Sequence, residues 1–222
     1  MTKIINIIGQ KESGKTFLTG ELIKYYLNEG YSVSCDSFAG ELKKIIEKYF
    51  HITKTNFPTD LKFSKVEIAY KLNCIFDEYF TGYIGKETFL TTELDDFAYR
   101  LEYLIKKRDV RKIMQFMGTE FFRRLDMYIW IKILDSKIKH YKTDFLIISD
   151  CRFVNEFEIL NHKKFNTKNI YIFNKNHSDS DIHPSESGIF EILKKYPDKI
   201  NYEFDNTDFR SFQNNLKKFL YK

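Results

Sequence analysis

The sequence predicts an α/β fold: a parallel sheet of about five strands with helices on both faces and a large helical insertion. Three observations lead there. Short apolar runs alternate with segments of helical periodicity, the pattern of strands joined by helical crossovers. The first run ends at a glycine-containing turn that opens directly into a helix. Residues 40–141 carry helical patterning with almost no strand signal, and they separate the second run from the third.

The elements follow in order. "KIINII" (Lys3 to Ile8) is an apolar run that stops at Gly9, as a buried parallel strand would. From Lys15 to Asn28 the residues Phe17, Leu18, Leu22, Ile23, Tyr26 and Leu27 recur at helical spacing, and Gly30 follows as a C-cap. "YSVSC", residues 31–35, reads as the second strand. Within the helical section, "KVEIAYKLNCIFDEYF" places Val66, Ala69, Leu72, Ile75, Phe76 and Tyr79 on one face. Three further strands are expected at "DFLIIS" (144–149), "NIYIF" (169–173) and "INYEF" (200–204), and "DFRSFQNNLKKFLYK" closes the chain as an amphipathic helix whose late cations suit its dipole. The whole is expected to be one domain, residues 1–222, with 40–141 as an insertion that covers a substrate and excludes water on closing.

Composition narrows the function. Hydrophobic residues make up 43% of the 222 and charged residues 30%, too apolar for a disordered chain. The net charge of +5 comes from dispersed cations, which suits a small anionic ligand better than a nucleic-acid surface. Cys35, Cys74 and Cys151 are far apart, so neither a structural zinc nor a disulfide framework is expected. The five histidines show no metal-binding spacing, and only His183, in "IHPSE", invites a role. No apolar run reaches membrane-spanning length, and the chain opens on a strand, so a cytoplasmic location without membrane contact is expected. Abundant Lys, Ile and Asn fit AT-rich coding, as in an AT-rich microbe or a virus acting in its host's cytoplasm.

The turn after the first strand carries the most specific signal. Gly9-Gln-Lys-Glu-Ser-Gly14-Lys15-Thr16 fits G-x-x-x-x-G-K-[ST], between a strand and a helix as the P-loop NTPase motif requires. Its glycines let successive N–H groups converge on a polyphosphate at the positive end of the helix dipole. Gly9, Lys11, Ser13, Gly14, Lys15, Thr16 and Phe17 are the expected ATP site, with Lys15 on the β- and γ-phosphates and the Thr16 hydroxyl on Mg²⁺.

Two later segments supply candidates for the phosphate acceptor. "RKIMQFMGTEFFRRLDMYIWIKI" gathers Arg111, Lys112, Gln115, Arg123, Arg124 and the single tryptophan, Trp130. Guanidinium groups grip phosphate, an amide reads a base edge and an indole stacks on a base. The alternative is that Trp130 is a core aromatic and the arginines are solvated. "MGTE" reads as a cap or break in the helix. In "FLIISDCRFVNEFEIL", Asp150 ends an apolar strand as a magnesium-binding carboxylate would, Arg152 follows, and Glu156 starts the next helix; a structural Asp–Arg ion pair is the other reading.

Taken in order, "GQKESGKT", "SFAGELKK", "RKIMQFMGTEFFR", Trp130, "SDCRFVNE" and "IHPSE" resemble the bacteriophage deoxynucleoside monophosphate kinases over residues 4–188. The resemblance implies a P-loop kinase with the sheet of the nucleoside monophosphate kinases, Mg-ATP as donor and a deoxynucleoside monophosphate as acceptor. It also implies roles. Ser13, Lys15 and Thr16 would hold ATP and magnesium. Arg111, Lys112, Gln115, Gly118, Thr119 and Trp130 would line the acceptor site, with Asp150, Arg152 and Glu156 on its other side. Lys15, Arg111, Arg123, Asp150 and Arg152 would be the catalytic set, and Asp150 serves either magnesium or the acceptor. Two departures stand out: bulky Phe121 and Phe122 where smaller residues are expected, and no arginine between Arg152 and Arg210 to serve a lid near residues 175–187. A different small-molecule kinase (dephospho-coenzyme A or phosphomevalonate type) and a non-catalytic ATP-binding regulator stay open, as does pairing of two copies through the helical section.

Overall fold

Strands β1 (Lys3–Ile8), β2 (Val33–Asp36), β3 (Phe145–Cys151), β4 (Asn166–Phe173) and β5 (Tyr202–Asp205) pair in the order β2-β3-β1-β4-β5. Every pairing is parallel. The computed structural model describes residues 2–85, 94–162, 165–176 and 184–220. Its contacts divide the chain into two compact units, Met1–Phe38 with Leu134–Lys222, and Ala39–Ile133.

The first unit holds the sheet. Alternation sends Ile5 and Ile7 of β1, Phe145 and Ile147 of β3, and Ile170 and Ile172 of β4 to one face, where they bury against Leu18 and Leu22 of α1 (Lys15–Asn28) and Phe212 and Phe219 of α9 (Phe209–Leu220). The opposite face of β1 carries Asn6, whose amide donates to Asn169 of β4 at 2.9 Å. Asn169 in turn bonds Asn161, the C-terminal cap of α7 (Val154–Leu160). Helices therefore lie on both faces, as expected for a parallel sheet. The crossover from β4 to β5 carries α8 (Pro184–Lys195) and then a 3-10 turn at Pro197–Lys199.

The expected strands are all present; β1 has the expected ends and the other four have shifted ends. β4 starts three residues before its apolar core because Asn166, Thr167 and Lys168 pair with β1 through the backbone, which no hydrophobic pattern reveals. Similarly, β3 runs on to Cys151 and β5 to Asp205, so polar side chains stand at the carboxyl end of the sheet.

The second unit is helical. It contains α2 (Gly40–Phe50), α3 (Lys65–Ile75), α4 (Leu94–Lys106), α5 (Val110–Gln115) and the first half of α6 (Ile129–Ile138). Ser64 caps α3: its hydroxyl accepts from the Glu67 amide, and Glu67 accepts from the Ser64 amide at 2.7 Å. Of the face expected from α3 onward, Leu72, Ile75 and Phe76 are buried, together with Ile68, whereas Val66 is 74% exposed. The helix also widens into a π turn at Phe76–Phe80, which rotates later residues and buries Phe80 instead of fully covering Tyr79.

"MGTE" is likewise not a break. α5 continues through a π-helical stretch, Phe116–Phe122, into a last turn at Arg123–Leu125. Phe121 and Phe122 are core residues here: Phe122 packs on Phe80 at 4.4 Å between ring centres and Phe121 on Phe97 at 4.6 Å. Their bulk fills the interior of the helical unit. Among the described residues, no helix is long and apolar enough to cross a membrane.

Candidate active site

The turn between β1 and α1 is shaped by its backbone. Glu12 (φ 58°) and Gly14 (φ 97°) both adopt left-handed conformations, flanking Ser13. Such alternation turns successive N–H groups to one side and makes an anion-binding concavity. α1 then begins at Lys15 with no side-chain cap and no acidic residue in its first turn, so its leading N–H groups are left for a ligand.

Both glycines are required sterically. A Cβ on Gly9 would lie 2.5 Å from the Ile172 carbonyl and 2.7 Å from the Ser13 hydroxyl. On Gly14 it would lie 2.2 Å from the amide nitrogen of Asn206. Ser13 is 2% exposed, and its hydroxyl has no hydrogen-bond partner among the described groups. A buried alcohol in that state is uncommon in a folded protein. Lys15 Nζ donates to the carbonyl of Gly9 at 2.7 Å and to that of Gln10, closing the loop on itself. Lys11 pairs with Glu12 at 3.3 Å near the surface, and Thr16 and Phe17 are exposed on the first helical turn. The Phe17 ring lies 4.9 Å from that of Phe212.

At the carboxyl end of β3, Asp150 accepts from the Phe38 amide at 2.8 Å. Asp36 ends the neighbouring β2, accepting from Ser37 N at 2.7 Å and from the Tyr141 hydroxyl at 2.8 Å. The sequence reading passed over Asp36, although the same argument that singled out Asp150, a carboxylate closing a strand, applies to "VSCD".

Glu156, expected on the acceptor site, is 2% exposed and accepts from the amides of Arg152 (2.9 Å) and Phe153 (3.2 Å). Its carboxylate satisfies the open end of α7 and fixes the turn that carries Arg152. Gly188 of α8 presses on the same turn, where a Cβ would lie 2.4 Å from the Arg152 carbonyl. Ile182 and His183 of "IHP" lie outside the described residues, as does most of the expected lid, residues 177–183.

The remaining candidates stand on the second unit. Asp109 caps α5 by accepting from Lys112 N at 3.0 Å. Lys112 and Gln115 line a cavity of about 300 Å³ with Tyr99, Arg100, Phe116 and Glu120. Arg111 is half-buried, with one guanidinium nitrogen shielded from solvent. Thr119 is half-buried on the π turn; Arg123 donates to the Met127 carbonyl at 3.2 Å, and Arg124 lies over Phe97 at 5.7 Å. Gly118 is buried, and a Cβ there would meet Leu42 at 2.6 Å. Trp130, for which base stacking and a core position were both open, is 3% exposed, donates its indole N–H to the Gly118 carbonyl at 2.9 Å, and meets Phe80 and Phe122 edge to face.

An all-parallel sheet whose central strand runs into an uncapped helix through a left-handed, glycine-bounded turn defines a P-loop nucleotide-binding protein. Comparison narrows that class. A model of the deoxynucleotide monophosphate kinase family matches residues 70–194. The deoxynucleoside-5'-monophosphate kinase of Escherichia phage T5 is 30% identical over 183 residues, covering 74% of this chain and 70% of that protein. The chain belongs to the deoxynucleotide monophosphate kinase family. A crystal structure of shikimate kinase from Bacteroides thetaiotaomicron aligns with 98% of this chain and 96% of its own at 13% identity and a TM-score of 0.36, too loose a likeness to inform the site.

Proposed function

We propose that this protein is an ATP-dependent deoxynucleoside monophosphate kinase that moves the γ-phosphoryl group of ATP to the 5′-phosphate of a deoxynucleoside monophosphate. The observation that carries the reading is the phosphate loop, with the buried Ser13 hydroxyl and uncapped α1, in a chain of this family. An acceptor phosphate oxygen attacks the γ-phosphorus while the bond from that phosphorus to the β–γ bridging oxygen breaks, leaving ADP. The acceptor oxygen is already anionic near neutral pH, so positioning and charge neutralisation carry the catalysis without a strong base.

In this reading the loop amides and the Ser13 hydroxyl hold the donor phosphates. Lys15 exchanges the carbonyls of Gly9 and Gln10 for β- and γ-phosphate oxygens. Lys11 and Phe17 flank the donor. Arg152, held by the Glu156-capped turn, and Arg111 and Arg123 neutralise charge. Lys112, Gln115, Gly118 and Thr119 shape acceptor binding on the helical unit. A magnesium ion held by few protein ligands together with the polyphosphate would take Thr16 and Asp150 as those ligands. Magnesium would supply charge neutralisation on the β- and γ-phosphates.

The test is ADP release from Mg-ATP with each deoxynucleoside monophosphate, with Lys15→Ala as control. Turnover that requires both Lys15 and a deoxynucleotide is the expected result. ATP binding with no turnover of any monophosphate would reject the kinase reading.

A further inference from the structure

Gly14 gives up its side-chain space to one group, the amide of Asn206. That amide donates to the Ser13 carbonyl at 3.0 Å, and a Cβ on Gly14 would lie 2.2 Å from the same nitrogen. Asn206 belongs to the turn after β5, far from the loop in sequence. We propose that Asn206 is a positioning residue that holds the Ser13–Gly14 peptide in its phosphate-binding orientation.

The peptide geometry gives the reason. In a trans peptide the carbonyl of one residue and the N–H of the next point in opposite directions. Fixing the Ser13 carbonyl on Asn206 therefore fixes the Gly14 N–H on the other side, away from Asn206. Gly14 has φ 97° and would otherwise rotate freely, because glycine has little barrier between its backbone wells. The hydrogen bond selects one of them.

Asn206 can do this because its own turn is tied down on several sides. Its backbone N–H donates to the Phe173 carbonyl at the end of β4 at 2.8 Å. Asp205 accepts from the Thr207 amide at 2.9 Å and pairs with Lys175 at 2.9 Å. The Thr207 hydroxyl accepts from Lys175 N at 3.1 Å, and the Thr207 carbonyl accepts from Asn176 at 3.3 Å. The end of β4 thus meets the loop twice, through the Ile172 carbonyl packed against Gly9 and through Phe173 holding Asn206. No motif marks Asn206, which reaches the loop only through the β4–β5 pairing.

The inference rests on the loop being the ATP site, and the experiment separates the two ideas. Mg-ADP binding is measured by calorimetry, and the KM values for ATP and for the acceptor are measured together with ligand-free unfolding, for wild type, Asn206→Ala and Asn206→Asp. Losing a hydrogen bond that orients the loop should raise the ADP Kd and the ATP KM about tenfold in Asn206→Ala, with the acceptor KM unchanged. Asn206→Asp keeps the shape but sets an acceptor against the Ser13 carbonyl, so it should be at least as impaired, and it carries the same test if the alanine variant is unstable. Wild-type ADP affinity in both variants would overturn the proposal. So would an aspartate variant that behaves as wild type, which would mark a packing role, or equal rises in both KM values. Failure of the wild type itself to bind Mg-ADP would remove the donor-site reading and this proposal with it.

Discussion

The indole N–H of Trp130 donates to the carbonyl of Gly118 at 2.9 Å, joining α6 to the π-helical turn inside the helical unit. Trp130→Phe keeps most of the packing but removes that hydrogen bond, so it should cost about 0.5–1.5 kcal/mol in urea unfolding. Trp130→Ala adds a large cavity and should cost about 3–5 kcal/mol. An unchanged unfolding midpoint in Trp130→Phe with a raised acceptor KM would instead make the indole a ligand contact.

Gly118 faces Leu42 so closely that any side chain must displace it. Because the clash is with the end of a flexible side chain, Gly118→Ala should cost only about 1–3 kcal/mol. Leu42→Ala in the same chain should recover part of that loss if the clash is its source. Additive losses in the double variant would place the strain elsewhere.

Lys15 now bonds two loop carbonyls that a polyphosphate would replace. Lys15→Ala should lower kcat by about a thousandfold or more, the scale of a lost transition-state electrostatic contact. Thermal unfolding of the ligand-free protein should move little, since the loop amides stay in place. Chelation of magnesium by EDTA should abolish turnover in the wild type.

Glu156 stabilises two backbone amides beside Arg152. Glu156→Ala removes both hydrogen bonds to the carboxylate, at a cost of about 1.5–3 kcal/mol each. Glu156→Gln retains an acceptor and should restore most of the stability and of kcat. Equal damage from both substitutions would show that the carboxylate charge itself acts in catalysis.

Asp205 gives a pH dependence of defined sign. Its bond to Lys175, then those to Thr207, lower its pKa to about 2. A carboxyl depressed in the folded state contributes stability above its unfolded value of about 4 and loses it as pH falls through about 2. Acid unfolding of Asp205→Asn should therefore differ from wild type above about pH 4 and converge with it below about pH 2. A gap that persists to lower pH would assign the effect to packing.

The sheet was legible because buried parallel strands are written as apolar runs, and the phosphate loop because its backbone needs glycine at fixed places. Asp150 was legible for a similar reason, standing where an apolar run stops. Strand ends such as Asn166–Lys168 were not, since backbone pairing leaves no mark on side-chain type. Beyond α3, Phe80 rather than Tyr79 is buried because the π turn at Phe76–Phe80 changes the helical period.

By itself the sequence determined the class of fold, the glycine-bounded turn and the family, all of which depend on local chemistry carried by neighbouring residues. Only the tertiary structure decided that Trp130 and Glu156 are held by the protein's own backbone, and that Asn206 stands against Gly14. Those roles depend on which distant groups are brought within hydrogen-bond reach. A tryptophan, a glutamate or an asparagine serves a ligand or a carbonyl equally well until packing chooses its partner.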